Sequence, residues 1–125
     1  MEMLADVPDL DVIVVPIGGG GVIGGIAIAA KALNPRIEII GVEAQLYPSM
    51  YQAIHGLAAT SGGESIAEGI AVKTPGEITK AIVSEYVDDI LLVDEFEIES
   101  AVQTMVETGK LIVEGAGAAP LAAVI

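Results

Sequence analysis

Four consecutive glycines, Gly18 to Gly21, separate the β-branched run Asp11-Val-Ile-Val-Val-Pro-Ile17 from a run of small and apolar residues, Val22 to Leu33. The first run suits a strand covered on both faces, and the second a buried helix stopped by Asn34-Pro35. At a strand-to-helix junction, backbone N–H groups and the positive end of the helix dipole converge on one spot, and that spot attracts an anion, most often a phosphate. Glycine serves there because a Cβ blocks close approach of the backbone and because some positions need positive φ. The same glycines also permit tight helix-sheet packing, the structural alternative to a binding loop. Spacing leaves the kind of phosphate open. Gly19-Gly-Gly21-Val-Ile-Gly24 satisfies the dinucleotide pattern G-x-G-x-x-G, and Glu43 sits where a ribose-binding acid would.

Other chemistry is scarce. The 125 residues contain no Cys and one His, which excludes disulfides, thiolate metal sites and an imidazole cluster, so any metal would need carboxylates. His55 falls near the end of a short predicted helix and reads as a capping or surface residue. Asp88, Asp89, Asp94, Glu95, Glu97 and Glu99 read as strand-edge, capping and solvated residues. A net charge of -13 repels nucleic-acid and anionic-lipid phosphates, so neither is an expected partner. No apolar run reaches the length of a membrane span, and Met1 to Asp11 lacks signal-peptide character, so the expected compartment is the cytoplasm.

The elements that must hold the glycine loop follow from the residue pattern. Hydrophobic residues make up 53% of the chain and aromatic residues only 3%, so the core is built from Ala, Val, Ile and Leu. Arg36 to Val42 predicts a second strand ending at Glu43. Pro48 and Gly56 bracket a short helix, and Ala58 to Glu64 reads as loop. Thr74-Pro75-Gly76-Glu77 predicts a helix start with a threonine cap, followed by Ile78, Ala81 and Ile82 on one face. Asp89 to Val93 predicts a third strand. Asp94 to Glu97 predicts the cap of an amphipathic helix that carries Ile98, Ala101, Val102, Met105 and Val106 and ends near Gly109. Leu111 to Val113 predicts a further short strand, and Ala118 to Ile125 a last helix that stops without a cap. The alternation predicts a single three-layer α/β domain, a mostly parallel sheet with helices on both faces. Both ends read as cut, which makes self-association through bared apolar surface an expectation.

Five segments carry a family resemblance. Val15-Pro-Ile-Gly-Gly-Gly-Gly-Val-Ile-Gly-Gly-Ile26 is similar to the phosphate loop of the threonine dehydratase and serine racemase family of pyridoxal-phosphate-dependent enzymes. Ile40-Gly-Val-Glu43, Ser65 to Gly76, Val87-Asp-Asp-Ile90 and Val113-Glu-Gly-Ala-Gly-Ala-Ala119 resemble further family segments in the same order. The resemblance implies the second major fold of pyridoxal-phosphate enzymes and an ammonia-lyase reaction, threonine going to 2-oxobutanoate and ammonia. It implies that the amides of Gly18, Gly19, Gly20 and Gly21 hold the cofactor phosphate. It places Gly69 at the cofactor's edge and Glu114 near its pyridine ring, where a purely structural carboxylate also suits Glu114.

The departures are as informative. Glu68 replaces the family's usual Asp. Ser49 replaces an aspartate that joins the residue matching Glu43 in a cation site of some members, so no metal is expected and Glu43 reads as a solvated or strand-end residue. The family's Schiff-base lysine precedes the phosphate loop in a serine-x-lysine context, whereas the four lysines here, Lys31, Lys73, Lys80 and Lys110, all follow it. Lys31 is expected to extend to solvent and Lys80 to pair with Glu77, and none of the four suits a covalent partner. No catalytic residue is assigned, and the isolated chain is expected to be inactive. Two rivals stand beside this reading: a nucleotide-binding module that uses Glu43 on a ribose, and a non-catalytic self-associating piece with no ligand at the glycines.

Overall fold

The computed structural model describes residues 2–125. Three strands, β1 (Val12–Pro16), β2 (Glu38–Ala44) and β3 (Asp89–Val93), form a parallel sheet in the order β1-β2-β3. Val12 pairs with Glu38 and Pro16 with Val42, while Ile40 pairs with Asp89 and Ala44 with Val93. β2 and β3 therefore end level and β1 ends two residues before them, and the segments following β1 and β2 emerge at the same end of the sheet.

Alternation along the strands divides the interior into two cores. Ile13, Val15, Ile39 and Ile90 pack with Ile23, Ala27, Met50 and Val83 on one face. Those partners come from α2 (Gly21–Leu33), α3 (Ser49–His55) and α4 (Glu77–Tyr86), with Leu4 of the short α1 (Glu2–Asp6) at the margin. Val42, Ala44 and Val93 face the other way and pack with Ile98 and Ala101 of α5 (Glu95–Thr104) and with Ala116 and Ala119 of α6 (Gly115–Ala122). This is the three-layer α/β arrangement that the alternation predicts. With few aromatic residues, close approach does the filling: a Cβ on Gly41 would overlap the Ile17 side chain, and one on Gly24 would lie 3.2 Å from Ile82 Cγ2, across the α2–α4 contact.

Several boundaries differ from the sequence expectation. β2 begins at Glu38 rather than Arg36, because Asn34 folds residues 34–37 into a turn, its side chain accepting from Arg36 N and its carbonyl from Ile37 N. α4 begins at Glu77, and Gly76, not Thr74, is its N-cap, with no side-chain cap. Its inward stripe runs through Thr79, Ile82, Val83 and Tyr86, leaving Ile78 78% exposed, so the buried face is shifted by one residue. Leu111 to Val113 forms no strand. Lys110 adopts a left-handed conformation (φ 56°), Leu111 N bonds back to Met105 O, and Ile112 is 95% exposed, so this segment closes the π-turn Met105–Gly109 instead of reaching the sheet. The last helix starts at Gly115, earlier than Ala118, and ends at Ala122. The cap predicted at Asp94 to Glu97 is present and is a reciprocal capping box, with Glu97 N donating to Asp94 Oδ1 at 2.8 Å and Asp94 N to Glu97 Oε2 at 2.7 Å.

Candidate functional site

The carboxyl end of β1 delivers Gly18 to Gly21 onto the first turn of α2. Gly20 has φ 88° and ψ 0° and is the N-cap, a left-handed conformation open to glycine. Among the described residues, the amides of Gly18, Gly19, Gly20 and Gly21 donate to no protein group, while Ile17 N is satisfied by Val42 O. A run of unsatisfied amides at the N-terminus of a thirteen-residue helix can hold an anion.

Substituting a Cβ in turn shows which glycines the fold itself requires. At Gly18 it would lie 3.2 Å from both Ile70 Cα and Val72 Cγ2, and at Gly20 it would lie 2.5 Å from Met50 Cε and 2.9 Å from Thr79 Cβ. At Gly19 and Gly21 it would meet nothing within 4 Å. Packing therefore accounts for Gly18 and Gly20 and leaves Gly19 and Gly21 without a structural reason.

The loop lines a cleft of about 300 Å³. Gly69, Glu114, Ala116 and Gly117 line the same cleft, so the structure gathers all six residues singled out from the sequence around one space. Gly69 lies in the 3₁₀ turn Glu68–Ile70, and its absent side chain makes room for Glu114: a Cβ there would lie 3.1 Å from Glu114 Oε1 and from Ala116 Cβ. Glu114 is the exposed N-cap residue of α6. That helix is held against the Gly69 segment because Gly115 sits on the Ile66 carbonyl with no space for a side chain. Glu68 turns away from this cleft into a separate hollow shared with Glu64, Glu95 and Glu99.

Glu43 is not solvated. It is fully buried at the end of β2 and caps α3, accepting from Met50 N at 2.8 Å and Tyr51 N at 2.9 Å. Burial pushes its carboxyl up to about 7, against the lowering effect of those two hydrogen bonds. Both oxygens are engaged, so neither is offered to a ribose. Sequence reasoning missed this cap because the donors lie seven and eight residues further on and meet Glu43 only once α3 folds back. Lys31 also departs from expectation, forming an ion pair with Asp88 at 2.7 Å. Burial alone would raise the Asp88 carboxyl, but the hydrogen bonds from Lys31 and Ile39 N hold it below its ordinary value. Among the described residues Lys80 forms no ion pair with Glu77, and none of the four lysines lines the cleft. His55 ends α3 exposed, its ring 4.2 Å from that of Tyr51 and its Nδ1 2.8 Å from Tyr51 O.

The pyridoxal-phosphate-dependent enzyme family matches residues 1–125, and the chain belongs to it. It is 42% identical to L-threonine ammonia-lyase of Thermotoga maritima over 127 aligned positions, which take in 100% of this chain and 32% of that protein. It superimposes on maize serine racemase with a TM-score of 0.91 at 40% identity, over 98% of this chain and 39% of that one. The processed form of threonine deaminase isoform 2 from Solanum lycopersicum gives a TM-score of 0.91 at 33% identity, over 98% of this chain and 36% of that one. The chain thus spans between about a third and two fifths of the length of these relatives. The fold is that of fold type II pyridoxal-phosphate enzymes, as the resemblance implied, and the family cofactor is pyridoxal phosphate.

Proposed function

We propose that these 125 residues form the phosphate end of the cofactor site in an ammonia-lyase that removes water and then ammonia from threonine or serine. Relatives named for threonine support the substrate class, and the cleft supports the cofactor. The observation that carries the reading is the pair Gly19 and Gly21. Nothing in the fold forbids a side chain there, yet both belong to a run of residues with unsatisfied amides that lines one cleft.

The chemical fit is direct. Four amides and a helix dipole complement a phosphate dianion, and the glycines leave room for its oxygens. Gly69 and Glu114, which line the same cleft, would stand beside the flat ring of the cofactor, with Glu114 as the charged group nearest it. When bound, pyridoxal phosphate supplies an electron sink for the negative charge that develops at the substrate Cα. The residues here orient and anchor. The amine that condenses with the cofactor, and the base at the substrate Cα, come from residues outside the 125, because Lys31, Lys73, Lys80 and Lys110 lie away from the cleft. The isolated chain accordingly binds phosphate-bearing ligands and turns over no amino acid. We further propose that it self-associates and works in the cytoplasm.

Titration with pyridoxal phosphate and separately with NAD, followed by borohydride trapping, tests this reading. Binding of pyridoxal phosphate without a stoichiometric lysine adduct is expected. Tight binding of NAD alone, or a single-lysine adduct, would overturn it.

A further inference from the structure

Thr79 lies in the first turn of α4, on its inward face, and packs among Gly19, Gly20 and Gly76. Its hydroxyl donates to Gly19 O at 2.6 Å and lies 3.0 Å from Gly76 O, whose other partner is Lys80 N in α4. A Cβ on Gly20 would lie 2.9 Å from Thr79 Cβ, and one on Gly76 would lie 2.9 Å from its Oγ1. The glycines at 20 and 76 are thus the space into which Thr79 fits.

One bond there has an effect on the far side of a peptide. The unit joining Gly19 to Gly20 is planar and trans, so its carbonyl and its N–H point in opposite directions. Thr79 turns the Gly19 carbonyl toward α4. The Gly20 N–H must then point away from α4, on the side where Gly19, Gly20 and Gly21 line the cleft. Glycine on both sides of this peptide leaves it with little torsional preference of its own, since each accepts either sign of φ. Without the hydroxyl, the peptide is free to flip and to present its carbonyl, an acceptor, where an anion needs a donor.

We infer that Thr79 is a positioning residue for the cofactor-phosphate cradle: its hydroxyl fixes the Gly19–Gly20 peptide so that the Gly20 amide faces the anion, although Thr79 does not line the cleft. This inference rests on the reading of the glycine loop as a phosphate site. It also accounts for the register of α4, whose stripe through Thr79, Ile82 and Val83 brings the hydroxyl inward and puts Ile78 in solvent.

The test compares the unaltered 125-residue chain with Thr79→Val and Thr79→Ser, using inorganic phosphate as the probe. Dissociation constants are read by phosphorus NMR, the Gly20 amide by nitrogen-edited NMR, and folding by circular dichroism. Thr79→Val keeps the shape and loses the donor; phosphate binding is expected to weaken roughly tenfold, the effect of one hydrogen bond, with the Gly20 amide resonance displaced even without phosphate. Thr79→Ser restores the donor and is expected to bind within about twofold of the parent on the same ground. Equal binding by parent and Thr79→Val, or loss of binding in a folded Thr79→Ser, would overturn the role of Thr79 while leaving the phosphate site intact. Absence of phosphate binding in the unaltered chain would instead remove the site, and this inference with it. If Thr79→Val fails to fold, Thr79→Ala, which removes the same hydroxyl, is read in its place with the same expected loss.

Discussion

Gly19 and Gly20 are adjacent and of the same type, yet they answer to different constraints. Gly20 combines φ 88° with contacts that leave no space for a methyl group, so Gly20→Ala is expected to cost about 1–3 kcal/mol of stability through strain and overlap. A Cβ on Gly19 meets nothing. Gly19→Ala is therefore expected to leave stability within roughly 0.5 kcal/mol and to weaken phosphate binding, because the methyl group enters the space the ligand needs. Thermal melts and phosphate titrations on the two variants check both; a Gly19→Ala chain that melts early yet binds normally would reverse the assignment. The glycine loop was legible in the sequence because its chemistry is local. The roles of Glu43, Lys31 and Thr79 were not, since each depends on a partner that only tertiary folding brings near, Asp88 lying 57 positions from Lys31 and Gly19 lying 60 from Thr79.

At the scale of elements, Glu43 ties β2 to α3, and α3 carries Met50 against Gly20. Because burial raises the Glu43 carboxyl from 4.5 to about 7, the folded chain holds a proton there that the unfolded chain has released. Stability contributed by this group is present below pH 4.5 and is lost as pH rises toward 7, the reverse of the usual carboxylate case. At about 1.36 kcal/mol per unit the ceiling is on the order of 3 kcal/mol. Denaturant melts at about pH 4 and about pH 8, either side of this window, are expected to show a larger fall for the parent than for Glu43→Gln, and parallel falls would show that Glu43 does not titrate in this range. In α5, Asp94→Ala removes half of a capping box and is expected to cost about 0.5–2 kcal/mol by the same measurement. That box was legible from four residues. The strand expected at Leu111 to Val113 was not excluded by its composition: three β-branched or aliphatic residues fit a strand, and only the left-handed Lys110 and the bond from Leu111 N to Met105 O show that the chain has turned elsewhere.

Over the whole molecule, three parallel strands put the loops after β1 and β2 at one end of the sheet, where α/β folds bind ligands. Nearly continuous apolar runs such as Asp11 to Ile17 and Asp89 to Val93, separated by helical segments, made this architecture readable in advance, because parallel strands between helices leave that signature. The walls of the cleft were harder to assemble, since Gly69 and Glu114 come from loops 45 residues apart with no shared periodicity. No helix among the described residues is long and apolar enough to cross a membrane. Exposed Ile78, Phe96, Ile112 and Ile125 leave apolar surface uncovered, so sedimentation across a concentration series is expected to show species heavier than the 12.7 kDa chain, and a strictly monomeric profile would count against self-association. The central claim is that the glycine cradle receives a phosphate. The most direct test is nitrogen-edited NMR of the chain during titration with inorganic phosphate: the account predicts saturable shifts concentrated at the amides of Gly18, Gly19, Gly20 and Gly21, whereas shifts elsewhere with those four unmoved would contradict it.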